Sequence, residues 1–128
     1  MFLDTSIIVE ILRNEKGQRR FEDIYALIKD EPLFISVLEI GEISDWCLDN
    51  SVDPMTRITK LKEILNIIPL NEKLCFEGSS IKYEMRKLGV SKFSLFDGII
   101  LASARSINQK LLTADSDFRK ATDAIIIK

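Results

Sequence analysis

The chain has 128 residues, a length that suits one domain with a core of its own. Hydrophobic residues make up 46% and charged residues 30%, the balance of a soluble globular chain, which argues against disorder. A net charge of −2 supplies no overall basic footprint for nucleic acid, and the absence of histidine removes the commonest general base and transition-metal ligand.

The N-terminus, Met1-Phe2-Leu3, is an apolar run that predicts a first strand. It meets Asp4 at once, with no basic stretch ahead of an apolar one, so no signal peptide is expected. Ile7, Ile8, Ile11 and Leu12 recur at helical spacing over Thr5 to Leu12. Gly17 interrupts, and Phe21, Ile24, Tyr25 and Ile28 form a second helical stripe that ends before Pro32. Leu33 to Ile35 predicts a second strand. Ser36 to about Leu48 predicts a helix with Val37, Ile40 and Ser44, then Leu38 and Trp46, as its inward positions. Asp53-Pro54 is a helix start, with an N-cap followed by proline at the first helical position. That helix is expected to run to about Asn66 with Ile58, Leu61, Ile64 and Leu65 inward.

Ile67 to Leu70 predicts a third strand, placed at a sheet edge by Pro69. A helix follows from Asn71 to about Leu88, closed by Gly89, and another covers Ser94 to Asn108. Lys110 to Thr113 predicts the fourth strand, Asp115 to Lys120 a short helix, and Ala124 to Ile127 the last strand. No repeat, linker or low-complexity stretch divides residues 1–128, so one continuous domain is expected. No apolar run approaches the roughly 20 residues of a membrane span, and a cytoplasmic protein is expected. Cys47 and Cys75 form no C-x-x-C pair and are expected as small core residues.

Strands alternating with helices imply an α/β fold, with a central parallel sheet of about five strands covered on both faces. In such sheets ligands sit beyond the carboxyl ends of the strands. Asp4, Glu39, Asp97 and Asp115 all fall at or near helix starts, and Asp4 and Asp115 stand at strand ends. Each has a purely structural use. Asp4 can cap the helix from Thr5, Ser36-x-x-Glu39 and Ser94-x-x-Asp97 have capping-box form, and Thr113 or Asp115 can cap the next turn. Capping does not require the four to converge, whereas parallel topology gathers them on one rim. Converging carboxylates repel unless they share protons or hold a hard cation, and all-oxygen ligation suits Mg²⁺ or Mn²⁺. Zinc fits poorly without histidine. Ser6 and Thr113 offer hydroxyls beside the acids, and Asp117 is a further acid near the rim. Three basic clusters, Arg13/Lys16/Arg19/Arg20, Lys82/Arg86/Lys87/Lys92 and Arg119/Lys120, suit solvated faces or a phosphate backbone.

Four segments in order carry a resemblance: Phe2-Leu3-Asp4-Thr5-Ser6, Ile35-Ser36-Val37-Leu38-Glu39-Ile40-Gly41-Glu42, Ser94-Leu95-Phe96-Asp97-Gly98-Ile99-Ile100-Leu101-Ala102, and Leu111-Leu112-Thr113-Ala114-Asp115-Ser116-Asp117-Phe118. Together they resemble PIN-domain ribonucleases of the VapC toxin type. The resemblance implies a three-layer α/β/α PIN-like domain. It implies a quartet of Asp4, Glu39, Asp97 and Asp115 binding Mg²⁺ or Mn²⁺, with Asp117 as an additional acid and Ser6 and Thr113 in support. It also implies RNA as substrate, a homodimer, and an antitoxin partner where the protein is a toxin.

Rival readings belong to other classes. A haloacid-dehalogenase-like phosphatase needs D-x-D after the first strand, but Thr5 and Ser6 follow Asp4. A receiver domain needs paired acids there and a late lysine, and Ala114 follows Thr113. A non-catalytic PIN-like module that binds RNA or protein has no need of four acids.

Overall fold

The computed structural model describes residues 1–13 and 19–128. Lys16 and Gly17 lie outside the described residues. The elements are β1 (Phe2–Leu3), α1 (Thr5–Arg13), α2 (Arg19–Ile28), β2 (Leu33–Ser36), α3 (Val37–Asp49), α4 (Pro54–Leu61), β3 (Leu65–Ile68), α5 (Glu72–Lys87), α6 (Leu95–Ser106), β4 (Leu111–Thr113), a single 3₁₀ turn (Ser116–Phe118) and β5 (Ala124–Ile126).

The five strands form one parallel sheet in the order β3-β2-β1-β4-β5. The chain steps outward from β1 to β2 to β3, then crosses back to the other side of β1 for β4 and β5. Crossovers between parallel strands are right-handed, so reversing the direction of travel moves the connecting helices to the opposite face. The packing follows that rule. Leu3, Leu33, Ile35 and Leu112 point to one face, where they meet Ile7, Ile8, Ile24, Ile43, Cys47 and Leu61 of α1 to α4. Phe2 and Leu111 point to the other, against Met85, Phe93, Ile100, Leu101 and Ala104 of α5, α6 and their link. Adjacent strand residues thus serve different cores, as the two-residue period of a strand requires. The result is the three-layer α/β/α architecture expected from the sequence.

α5 and α6 cross very closely. Gly78 of α5 lies against Gly98 and Ile99 of α6, with no room for a Cβ at either glycine. Gly89 ends α5 with a φ of +95°, a conformation that favours glycine.

Several sequence expectations need correction. α4 stops at Leu61, and Leu65 begins β3, so the helix does not reach Asn66 and the strand lies over Leu65–Ile68 rather than 67–70. Ile58, Leu61 and Leu65 fall at helical spacing whichever structure they adopt, which hides the break. Ile64 is 57% exposed in the turn between them. β3 does lie at the sheet edge, with Pro69 just beyond it. The fully buried positions of α3 are Glu39, Ile43 and Cys47; Ile40 and Trp46 pack against the same core partly buried, while Val37 is exposed. An acid at the head of the fully buried positions concealed them. Tyr25 of α2 faces out at 58% exposure. The segment after Asp115 makes only the 3₁₀ turn. Both cysteines are free and Cys47 is buried as expected, but Cys75 is only partly buried.

Candidate functional site

The order of strands reverses between β1 and β4, and at such a switch point a crevice opens beyond the strand ends. Asp4 leaves β1 there and Thr113 closes β4. Asp4 N–H still donates to Leu112 O at 2.9 Å, extending the strand pairing by one residue. The Asp4 carbonyl receives the Ile7 and Ile8 amides and so starts α1. Its carboxylate does something else. Asp4 Oδ2 accepts from Ser6 Oγ and from Thr113 Oγ1, both at 2.7 Å. Ser6 Oγ in turn accepts Ala114 N–H at 2.9 Å, and Thr113 Oγ1 accepts Asp115 N–H at 3.0 Å. The two hydroxyls therefore stitch the end of β1 to the loop after β4 and hold one carboxylate oxygen in place.

Glu39 enters from α3. It closes the expected capping box, with Ser36 N–H donating to Glu39 Oε1 at 3.0 Å. Its side chain is fully buried, and its second oxygen, Oε2, has no hydrogen-bond partner. Capping accounts for one oxygen and leaves the other unexplained, since buried carboxylate oxygens are ordinarily satisfied. Asp97 enters from α6 in the same way, accepting Ser94 N–H at 2.9 Å on Oδ2 while Ser94 Oγ accepts Asp97 N–H at 3.1 Å. Asp115 caps the 3₁₀ turn through Asp117 N–H at 2.8 Å.

Asp97, Asp115 and Asp117 each bring a carboxylate oxygen within 4.8 Å of those of the other two. Among the described residues this is the group of acids close enough to share one ion. Asp4 and Glu39 are buried more deeply and are not in that group, although Asp115 and Asp97 both sit near enough to Asp4 to interact with its charge. The geometry brings Asp115 and Asp117 to the rim together rather than one in place of the other.

The charges oppose one another. Burial pushes the Asp4 carboxyl above its ordinary value, against the hydrogen bonds from Ser6 and Thr113, and the charge on Asp115 adds to the rise. Burial raises Glu39 well above the usual carboxylate range, with Asp4 and Glu42 contributing repulsion. Burial also raises Asp97, opposed by Ser94 and reinforced by Asp115 and Asp4.

Glu42 is the residue that sequence reasoning missed. Its carboxyl is raised by burial and by Asp4 and Asp97, and its Oε1 accepts the Thr5 hydroxyl at 2.7 Å. The signal was its position three residues after Glu39, one turn along the same helix face.

An all-oxygen donor set, mutual repulsion and an orphaned buried oxygen fit a hard divalent cation, and the acids could bind one. They do not fit a phosphatase of the D-x-D kind, because Ser6 occupies the second position and is spent on Asp4.

The PIN domain family model matches residues 1–124. The chain belongs to the PIN domain family. Solved structures agree with this PIN fold. A toxin–antitoxin complex from Klebsiella pneumoniae matches with TM-score 0.74 and 23% identity, over 97% of this chain and 94% of that one. VapBC2 from Rickettsia felis, bound to a DNA fragment from its promoter, matches with TM-score 0.69 and 22% identity, over 98% and 95%. VapBC-1 from nontypeable Haemophilus influenzae matches with TM-score 0.68 and 24% identity, over 96% and 92%. No curated protein matches the chain in sequence. Among the described residues no helix of the PIN domain is long and apolar enough to cross a membrane.

Proposed function

We propose that this PIN domain is a Mg²⁺- or Mn²⁺-dependent endoribonuclease and the toxin of a toxin–antitoxin pair. The observation that carries the reading is the convergence of Asp97, Asp115 and Asp117 at the switch point of the sheet, with the unpaired oxygen of Glu39 behind them. Membership of the PIN family supports nuclease chemistry, and the likeness to toxin–antitoxin complexes supports an antitoxin partner.

Asp97, Asp115 and Asp117 would hold the cation, and Asp4 and Glu39 would add negative charge beneath it. A divalent cation in this position supplies a lowered water pKa and positive charge for the phosphate oxygens. Ser6 and Thr113 keep Asp4 in one rotamer, so its charge needs no reorganisation as the reaction proceeds. The capping boxes of Ser36 and Ser94 do the same for Glu39 and Asp97. Attack by water rather than by the ribose 2′-hydroxyl follows from a site without histidine, and it leaves 5′-phosphate and 3′-hydroxyl ends.

The test is cleavage of a labelled RNA with Mn²⁺ and with EDTA by wild-type protein and by Asp97→Asn. The expected result is metal-dependent cleavage that falls by roughly a hundredfold or more in the variant, the scale of losing one preorganised charged group. Undiminished cleavage by Asp97→Asn would overturn the assignment. Absence of Mn²⁺ binding in calorimetry would favour a non-catalytic binding module. A homodimer belongs to the same reading, and sedimentation tests it.

A further inference from the structure

Part of the basic cluster at Lys82, Arg86 and Lys87 is not a scattered charged face. Ser79, Lys82, Tyr83, Arg86 and Lys87 line one depression of about 490 Å³ along the second half of α5. Their spacing of three, four and seven residues puts them on one side of the helix. Tyr83 is 64% exposed, and Lys87 Nζ lies 5.2 Å from the centre of its ring. A cation on one side of the ring orients it and leaves the rest of its surface to solvent.

The depression is joined to the acid site through the chain. Arg86 Nε donates to Phe93 O at 2.9 Å. The next residue, Ser94, is the N-cap of α6, and its amide is held by Asp97. The close crossing at Gly78 and Gly98 fixes the same two helices one turn before Lys82 and one residue after Asp97. The last two turns of α5 therefore run beside the approach to the first turn of α6.

We propose that this face of α5 is the platform on which single-stranded RNA lies as it enters the site, with Tyr83 stacking a base and Lys82, Arg86 and Lys87 holding phosphates. The inference rests on the nuclease reading above. The chemistry selects the ligand. Three cations and a hydroxyl suit a phosphate backbone, and an exposed phenol ring suits a base that is not already stacked in a duplex. No aliphatic side chain lines the depression, which a protein-binding groove would need. The platform also answers an electrostatic problem. A rim of carboxylates repels phosphate, so the substrate needs its affinity from a surface beside the acids.

The experiment is fluorescence anisotropy of a short labelled single-stranded RNA of mixed sequence, in EDTA so that binding is read without cleavage. Salt is varied from about 50 to 200 mM. Tyr83→Ala is expected to weaken binding about tenfold without changing the salt dependence. The double variant Lys82→Ala/Lys87→Ala is expected to weaken it and to reduce the log–log salt slope by about 1.4, roughly 0.7 for each phosphate no longer held. Lys87→Glu serves as a second probe of the same charge, and thermal melting confirms that each variant folds. Wild-type affinity and slope in all three variants overturn the platform, and continued cleavage by the wild-type protein then leaves the nuclease reading standing. Failure of the wild-type protein to bind or cleave RNA overturns that reading, and the platform with it. A change of oligomeric state in Tyr83→Ala, seen by sedimentation, assigns the face to a contact between copies and also overturns the platform.

Discussion

Replacing Gly78 with alanine sets two known effects against each other. In the middle of an exposed helix, alanine is favoured over glycine by about 1 kcal/mol. Here a Cβ would lie 2.7 Å from Ile99 N and 2.8 Å from Ile99 Cα. Ordinary contact begins about 0.7 Å further out, so α5 and α6 must separate by about that much. The obstacle is backbone, which cannot rotate away as a side-chain tip can. Overpacking of this kind costs about 3 kcal/mol at the upper end of its range. The clash therefore wins, with a net loss of about 2 kcal/mol, or a fall in melting temperature of roughly 8 °C for a chain of this size. Gly41 is the control. It sits in α3 with nothing within 4 Å of the place a Cβ would take, so Gly41→Ala is expected to stabilise by about 0.5–1 kcal/mol. Urea denaturation of both variants, with equal m-values, measures the difference. The separation also moves the first turn of α6, which carries Asp97, so Gly78→Ala is expected to weaken Mn²⁺ binding in calorimetry while Gly41→Ala leaves it unchanged. Equal stabilisation by the two alanines would refute the reasoning.

Thr113→Val keeps the shape of the side chain but removes the hydroxyl that donates to Asp4 and accepts from the Asp115 amide. Mn²⁺ affinity is expected to fall roughly 10- to 100-fold, the usual effect of losing a group that orients a ligand, and calorimetry checks it. Glu39→Gln replaces a buried carboxyl whose ionisation burial opposes and whose second oxygen is unpaired, so in EDTA at about pH 8 it is expected to stabilise the protein by about 1–3 kcal/mol while cleavage is lost. Ile43→Ala, one turn further along the inward stripe of α3, leaves the carboxylate in place and should melt lower, which shows that the measurement can register a loss at this helix. The pH dependence follows from Asp4, Glu39, Glu42 and Asp97, whose carboxyls are all raised in the folded protein. The folded state binds these protons more tightly than the unfolded one. Their contribution to stability is full below the ordinary carboxylate values near about pH 4 and is lost as pH rises through the raised values. Melting temperatures in EDTA should fall as pH rises above the ordinary carboxylate values, and Mn²⁺ should recover most at the upper end because the ion takes the place of the protons. A profile that is flat in EDTA would contradict this.

Much of this was legible in the sequence because local chemistry and global fold agree. Ser36 and Ser94 cap their helices in the form their spacing implies, Asp53 and Asn71 cap theirs, and Gly89 closes α5. Where local signals are ambiguous, the reading failed. The apolar residues from Ile58 to Leu65 keep a helical spacing through a turn and into a strand, and only pairing with β2 decides that Leu65–Ile68 is extended. In α3 a buried acid heads the fully buried stripe, so a search for apolar residues found only its partly buried neighbours Ile40 and Trp46. The same disguise hid Glu42. The approach of Gly78 to Gly98 was also invisible, because the two residues come from different helices and each alone looks like an unfavourable helical glycine.

The link between Thr113 and Asp4 spans 109 positions of the chain. β1 is made before the other strands and stands at the centre of the sheet, yet its partner β4 follows only after β2, β3 and all six helices. Until β4 arrives, Asp4 has no Thr113 beside it, and Asp115 and Asp117 do not yet exist. A nascent chain, or one terminated before β4, therefore carries only Asp97 of the three acids close enough to share an ion, and none of the crevice. For the RNA-cutting activity proposed above, this order of assembly would complete the acid set only in the last part of synthesis.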